Sequence, residues 1–379
     1  VSPWPADQNV VALGYRADAP PQGALQGEGL LVVSSAADGP TTVFADPSGA
    51  RPIRAWWRDG ALEVDAEPVD VVPGPLAEAL DRWGRQQGVA VRPPPTAWCS
   101  WYQYGPGVTE ADVLENLDAM AALDLPVDVV QLDDGWQAEI GDWLHRSDRF
   151  ASLEGTVARI RDAGRRAGIW VAPFLLGSRA DVPAQWRAPG LHAGRNWDQD
   201  LRVLDVERAG WHLHEVFAGL RATGIDYFKL DFLYAGALPG VDHYREGLRI
   251  IRSAIGPDAY LVACGAPIVP SIGLVDAMRV SPDTAWHVAA TDGDPSQPGQ
   301  AGAIANGVAR HWQDGLLWAN DPDCLLARPG IEQRHVWAEH VERHGSLVAS
   351  GDRLLDLDGW GLATTRRLLQ SRSSPSSAR

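Results

Sequence analysis

The segment YFKLDFLYA (227–235) contains Lys229, the only lysine of the chain; every other member of its 33 basic residues is arginine. Asp231 follows two positions later. Alternate residues of a strand share a face. Tyr227, Lys229 and Asp231 therefore point one way, and Phe228, Leu230 and Phe232 the other. Lys229 and Asp231 are expected as neighbours on a partly desolvated face. A cation there favours the ionised carboxylate, and an ionised Asp is a candidate nucleophile. In AMRVSPD (277–283), Arg279, Ser281 and Asp283 share parity up to the step at Pro282. Asp231 and Asp283 thus supply the two carboxylates that glycoside hydrolysis needs, one to attack the anomeric carbon and one to protonate the leaving oxygen. The separation is roughly 5–5.5 Å in retaining enzymes and roughly 6.5–9.5 Å in inverting ones. QLDDGW (131–136) adds Asp133 and Asp134, acceptors suited to vicinal hydroxyls. A Schiff base on Lys229, with lyase chemistry, is the competing use of a lysine in such a strand. The acids and Trp residues at the same strand ends argue against it.

These residues need elements to hold them. Eight short apolar runs alternate with helical stretches: AWCSWY (97–102), VDVVQLDD (127–134), GIWVAPF (168–174), DYFKLDF (226–232), AYLVACG (259–265), AMRVSPD (277–283), LLWAND (316–321) and GSLVAS (345–350). Between them lie segments such as TEADVLENLDAMAALDL (109–125), which opens on Thr109 as N-cap with Glu110 and Asp112 behind it. This alternation predicts an α/β chain with a (β/α)8 TIM barrel. Five of the runs carry polar groups at or just past their C-terminal ends, where this fold builds its site. Acids after strands are also common turn residues and N-caps. That explanation suits Asp231 poorly, because apolar residues flank it on both sides.

The predicted organisation is a β-rich N-terminal segment over 1–90, including a linker helix with Leu76, Leu80 and Trp83 at helical spacing, then a barrel over 91–370 and a polar tail, 371–379. The formal charge of −16, with no basic block, excludes nucleic acid and anionic membrane surfaces as natural partners. There is no apolar run long enough to span a bilayer and no charged-then-apolar leader, so a cytoplasmic protein is expected. Cys99, Cys264 and Cys324 show no paired spacing and the ten His are scattered; no metal or other cofactor is called for. The 17 Trp suit core packing, and also the flat walls on which sugar rings lie.

WCSWY (98–102), GVTEADVLENLDAM, DVVQLDDGWQAEIGDW, GIWVAPF, YFKLDFLYA, CGAP, MRVSPDTAW and NDPDCLL, in this order from about 96 to 370, resemble the barrel of family 36 glycoside hydrolases, the microbial α-galactosidases of clan D. The resemblance implies that Asp231 is the nucleophile and Asp283 the acid/base. It implies that Asp133 and Asp134 bind sugar hydroxyls, that Lys229 and Arg279 hold hydroxyls near the nucleophile, and that Trp101 and Trp170 wall the subsite. Cys264 and Gly265 would line the side facing the C2 substituent. The implied activity is retaining exo-hydrolysis of terminal α-galactosyl groups from oligosaccharide or glycoside substrates. Specificity for α-N-acetylgalactosamine, galactosyl transfer, and sugar binding without turnover are the alternatives. Relatives carry a larger N-terminal β-sandwich that adds a Trp-bearing loop to the pocket, and many carry a C-terminal β-domain. The short N-terminal region here leads us to expect an incomplete pocket rim, and self-association through uncovered barrel surface.

Overall fold

The computed structural model describes residues 25–34, 39–58, 61–290, 293–294 and 297–373. Its centre is a sheet of eight parallel strands: Ala97–Cys99, Val129–Leu132, Arg166–Val171, Ile225–Leu230, Tyr260–Ala263, Ala277–Arg279, Ala319–Asp321 and Ala349–Ser350. The eight runs expected from sequence are these strands. Neighbours in sequence are neighbours in the sheet for the first seven, and the eighth returns to pair with the first through Ala349↔Ala97 and Ser350↔Trp98. The seam between the seventh and eighth is bridged by backbone bonds rather than a regular ladder. Leu347 N–H donates to Asn320 O (3.0 Å), Leu325 N–H to Ala349 O (2.7 Å) and Gly351 N–H to Leu325 O (3.0 Å). The sheet is thereby curled into a (β/α)8 barrel. Strands such as VVQL and YLVA are buried along their whole length, as parallel strands covered on both faces must be.

The helices follow from local sequence. Glu110–Ala122 starts at a capping box: Thr109 Oγ1 accepts the Asp112 N–H, and the Asp112 carboxylate accepts the Thr109 N–H. It buries Val113, Leu117 and Met120 at helical spacing. Ser152 and Asp205 cap Leu153–Asp162 and Val206–Ala222, their side chains accepting the Gly155 and Arg208 N–H groups. The outward face of the fourth strand packs on the latter helix, with the rings of Phe228 and Phe217 5.7 Å apart. Its inward face carries Tyr227, stacked on Tyr260.

Upstream lie two small antiparallel sheets. One joins Leu25–Gly27, Ile53–Arg58 and Ala61–Val64; the other joins Leu30–Ser34, Thr41–Ala45 and Asp70–Val72. Leu31, Phe44, Ile53 and Ala55 form their own small core. Val43 and Val72 join the main core, together with Ala79 and Trp83 of the helix Leu76–Gln86. The buried face of that helix differs from the expected one. Leu76 is exposed, and Ala79, Trp83 and Gly84 face inward. A Cβ on Gly84 would come within 2.9 Å of Leu316, so small residues set the approach where aliphatic spacing suggested a larger stripe.

Two excursions leave the barrel. Gln137–Glu139 pairs with Asp142–Arg146 after the second strand. After the third, Leu175–Gly177, Arg187–Asn196 and Gln199–Leu204 form a three-stranded sheet. The last helix, Gly359–Ser373, extends three residues into the stretch expected as a tail; positions 374–379 lie outside the described residues. Among the described residues no helix is long and apolar enough to cross a membrane.

Candidate active site

The C-terminal ends of the strands surround a cavity of about 500 Å³. Trp101, Asp133, Asp134, Trp170, Lys229, Asp231, Cys264, Gly265 and Asp283 all line it. Of the residues expected to form the site, Arg279 alone lies behind the lining.

Lys229 lies inside the barrel, but its direct partner is not Asp231. Its Nζ donates to Asp133 Oδ2 at 3.0 Å, across from the second strand, and both groups are buried. Burial alone would lower the lysine pKa, but Asp133 outweighs it and holds the amine well above its ordinary value. Inward-pointing residues of alternate barrel strands meet across the interior, which alternation along a single strand cannot reveal. Asp133 is heavily engaged. Its Oδ2 also accepts from Gln131 Nε2 (2.6 Å) and the Cys99 thiol (3.3 Å), and its Oδ1 accepts the Asp134 N–H (3.0 Å). The turn after this pair needs Gly135: φ is 115°, and a Cβ would sit 2.6 Å from Pro106 O.

Asp231 accepts hydrogen bonds from Trp170 Nε1 (3.0 Å) and the Phe232 N–H (2.7 Å). Trp170 thus orients this carboxylate as well as walling the cavity. It belongs to a chain of edge-packed rings: Trp136 to Trp143, Trp143 to Trp170, Trp170 to Trp197 and Trp197 to Phe232, with centroids 5.1–6.3 Å apart. Trp136 and Trp143 are buried in this wall.

Asp283 stands opposite in character. Its Oδ1 accepts from Arg279 Nη1 at 3.0 Å, while 43% of its side chain opens to solvent and the cavity. Enclosure by the cleft walls, followed by the charge of Asp323, raises its pKa to about 6 against the pull of Arg279 and Lys229. Solvent at this half-open side chain screens these effects, and a sugar that displaces it strengthens them. Arg279 is spent on three carboxylates, Asp283, Asp321 (3.2 Å) and Asp323 (2.9 Å). These bonds engage three of its five N–H donors, and the residue itself stands behind the cavity lining. Burial is also the first cause raising the pKa of Asp134 and of the Cys264 thiol. Cys99 and Cys324, distant in sequence, meet as hydrogen-bonded free thiols inside the barrel.

The residue missed by sequence reasoning is Trp197. It occupies the two-residue tip of the hairpin Arg187–Asn196/Gln199–Leu204, with Trp197 and Asp198 at φ 50° and 54°. Both positive values are those of the tight turn that matches strand twist. Trp197 Nε1 donates to Asp134 Oδ2 at 2.7 Å. Tyr234, also on the cavity wall, ties the hairpin down through its hydroxyl to Ala193 O (3.2 Å). The run NWDQ carried the Asn/Asp turn signal, but nothing local said where the hairpin would fold. Trp197 thus brings a ring to the cavity wall from the excursion after the third strand.

No protein-family model matches the chain. Among curated proteins it is 24% identical over 181 residues to an α-xylosidase of Lactiplantibacillus pentosus, and 28% identical over 142 residues to a bifunctional α-galactosidase/sucrose kinase of Mediterraneibacter gnavus. These matches cover 43% and 32% of this chain but only 23% and 15% of those proteins. An α-galactosidase from Thermus thermophilus, solved with p-nitrophenyl α-D-galactopyranoside, is 29% identical with a TM-score of 0.80, covering 92% of this chain and 76% of that one. A family 36 α-galactosidase from Geobacillus stearothermophilus shares the fold at 14% identity and a TM-score of 0.65, covering 92% of this chain and 57% of that one.

Proposed function

We propose that this chain, which has the barrel fold of the family 36 and clan D α-galactosidases, is a glycoside hydrolase that removes terminal α-galactosyl groups with retention of configuration. The observation that carries this is a pair of carboxylates in one cavity with different surroundings. Asp231 is held by two N–H donors, whereas Asp283 has a pKa raised to about 6. Environments that treat two carboxyls differently assign their roles as nucleophile and acid.

In the proposed reaction, an Asp231 oxygen attacks the anomeric carbon and the bond to the glycosidic oxygen breaks. That oxygen takes the proton of Asp283. The product is a β-galactosyl ester on Asp231 and a free aglycone. Asp283, now ionised, removes a proton from water, whose oxygen attacks the anomeric carbon and releases Asp231. Lys229 has further N–H donors beyond the one given to Asp133, and with Asp134 it faces the cavity where hydroxyls would lie. Trp101 and the Trp170–Trp197 wall supply flat apolar surface for the C–H face of the ring. Cys264 and Gly265 would contact the C2 side.

The test is hydrolysis of nitrophenyl α-galactoside and of its N-acetyl analogue, with Asp231→Gly assayed with and without azide. Turnover by the wild type, lost in the variant and partly restored by azide as the β-galactosyl azide, is the expected result. A folded wild type that cleaves neither substrate refutes the reading. The preferred analogue reports what the C2 side accepts.

A further inference from the structure

Asp323 does not line the cavity, yet it is bonded both to the backbone beside Asp283 and to the guanidinium that pairs with it. It follows the seventh strand, is fully buried, and has φ 90°, a conformation uncommon outside glycine. Bonds on both carboxylate oxygens keep it there. Oδ1 accepts the Cys324 N–H (2.6 Å) and pairs with Arg279 Nη2 (2.9 Å). Oδ2 accepts the Thr284 N–H (2.8 Å) and the Tyr102 hydroxyl. Asp321 completes the cluster by accepting the Asp323 N–H on Oδ1 (2.9 Å) and Arg279 Nε on Oδ2 (3.2 Å). The ends of the first, sixth and seventh strands therefore meet at one carboxylate.

We propose that Asp323 is a positioning residue for Asp283: it fixes the backbone of the next residue, Thr284, and orients the Arg279 guanidinium that binds Asp283 Oδ1, so that Oδ2 is the oxygen left to hold and deliver the proton. This rests on the assignment of Asp283 as acid/base. Two of the links to Asp283, one through the Thr284 backbone and one through the Arg279 side chain, end on Asp323, while the Gly299 N–H holds its carbonyl separately (3.0 Å). The charges agree with the geometry. Asp323 and Asp231 favour the protonated form of Asp283, Arg279 and Lys229 oppose it, and Asp321, Tyr102 and Cys264 complete the titratable surroundings. With Asp323 neutralised, Arg279 would have one fewer anion to share and would hold Asp283 ionised.

The test uses the full chain with 13C-carboxyl-labelled aspartate, the Asp283 resonance being assigned by its loss in Asp283→Asn. In Asp323→Asn the titration midpoint of Asp283 is expected to fall by at least about one pH unit, a tenfold change in proton affinity. Turnover of an α-galactosyl disaccharide, whose leaving group needs the proton, is expected to fall about 10²-fold. Dinitrophenyl α-galactoside, whose leaving group does not, should change only a few-fold. An unmoved midpoint, or equal losses on both substrates, overturns the proposal. Should Asp323→Asn fail to fold, Tyr102→Phe removes one bond to the same carboxylate, and the same selective loss on the disaccharide is expected; equal losses again overturn it. A wild type inactive on every galactoside sinks the galactosidase reading, while the titration still decides the role of Asp323.

Discussion

At the scale of single residues, the one lysine has a reason in the structure. Lysine is a compact point charge on a flexible stem, where arginine is a planar fork. The Lys229 amine fits between Asp133 and the cavity with both partners buried. Lys229→Met strands the Asp133 charge, and unfolding measurements should show a loss of about 3–5 kcal/mol, the usual cost of breaking a buried pair. Lys229→Arg keeps the charge but not the shape, and should recover less than half of the lost activity in kcat/KM assays. Asp283 sets a pH dependence. It must be protonated to act as an acid, and its pKa is about 6; kcat/KM should therefore fall above pH 6, about tenfold per unit. Asp283→Ala should remove that limb and lower kcat/KM for poor leaving groups roughly 10²–10⁴-fold. A pH profile with the same limb in the variant would assign the titration to another group.

At the scale of elements, the excursion after the third strand supplies part of the cavity wall. Its hairpin presents Trp197 at a positive φ, bonds Asp134 and is anchored by Tyr234. The neighbouring hairpin is tied to it by Arg179 and Gln199, both donating to Glu139 (2.8 and 3.2 Å). Trp197→Ala removes a hydrogen bond to a carboxylate, worth about 1.5–3 kcal/mol. KM for an α-galactoside should rise roughly 10–100-fold as the ring leaves the cavity wall, and unfolding measurements should show a stability loss of about the size of that bond. A variant with unchanged KM would make this wall incidental to binding.

At the scale of the whole molecule, the N-terminal sheets and the barrel share a core through Val43, Val72 and Trp83. Trp83 meets Trp312 edge-on at 6.0 Å. Trp83→Ala should cost about 3–5 kcal/mol in chemical denaturation, as large-to-small changes at buried aromatics do. A second prediction concerns acid. His340 is buried with Nε2 unpartnered, and burial, then His344 and His311, lowers its pKa from 6.5 to about 4. Between those values the unfolded chain binds a proton that the folded chain refuses, so stability falls as pH drops through that window and is unaffected by this group above it. The contribution is of order 3 kcal/mol. His340→Leu should flatten this part of a melting-temperature profile between pH 6.5 and 4; an unaltered slope would mean that other groups drive it.

Sequence alone determined the barrel. Eight buried apolar runs alternating with helical stretches admit few other folds, and strand alternation turned Tyr227 and Lys229 inward and Phe228 outward, as found. It also named the carboxylates Asp133, Asp134, Asp231 and Asp283, which share one cavity because this topology brings strand ends together. The pairings were decided only by tertiary structure. Lys229 meets Asp133 and not Asp231, Arg279 is shared among three acids, and Asp323 joins three strand ends. Trp197 enters the site from a hairpin far along the chain. Each of these contacts links segments remote in sequence, and their geometry depends on strand tilt and loop path, for which local periodicity carries no signal.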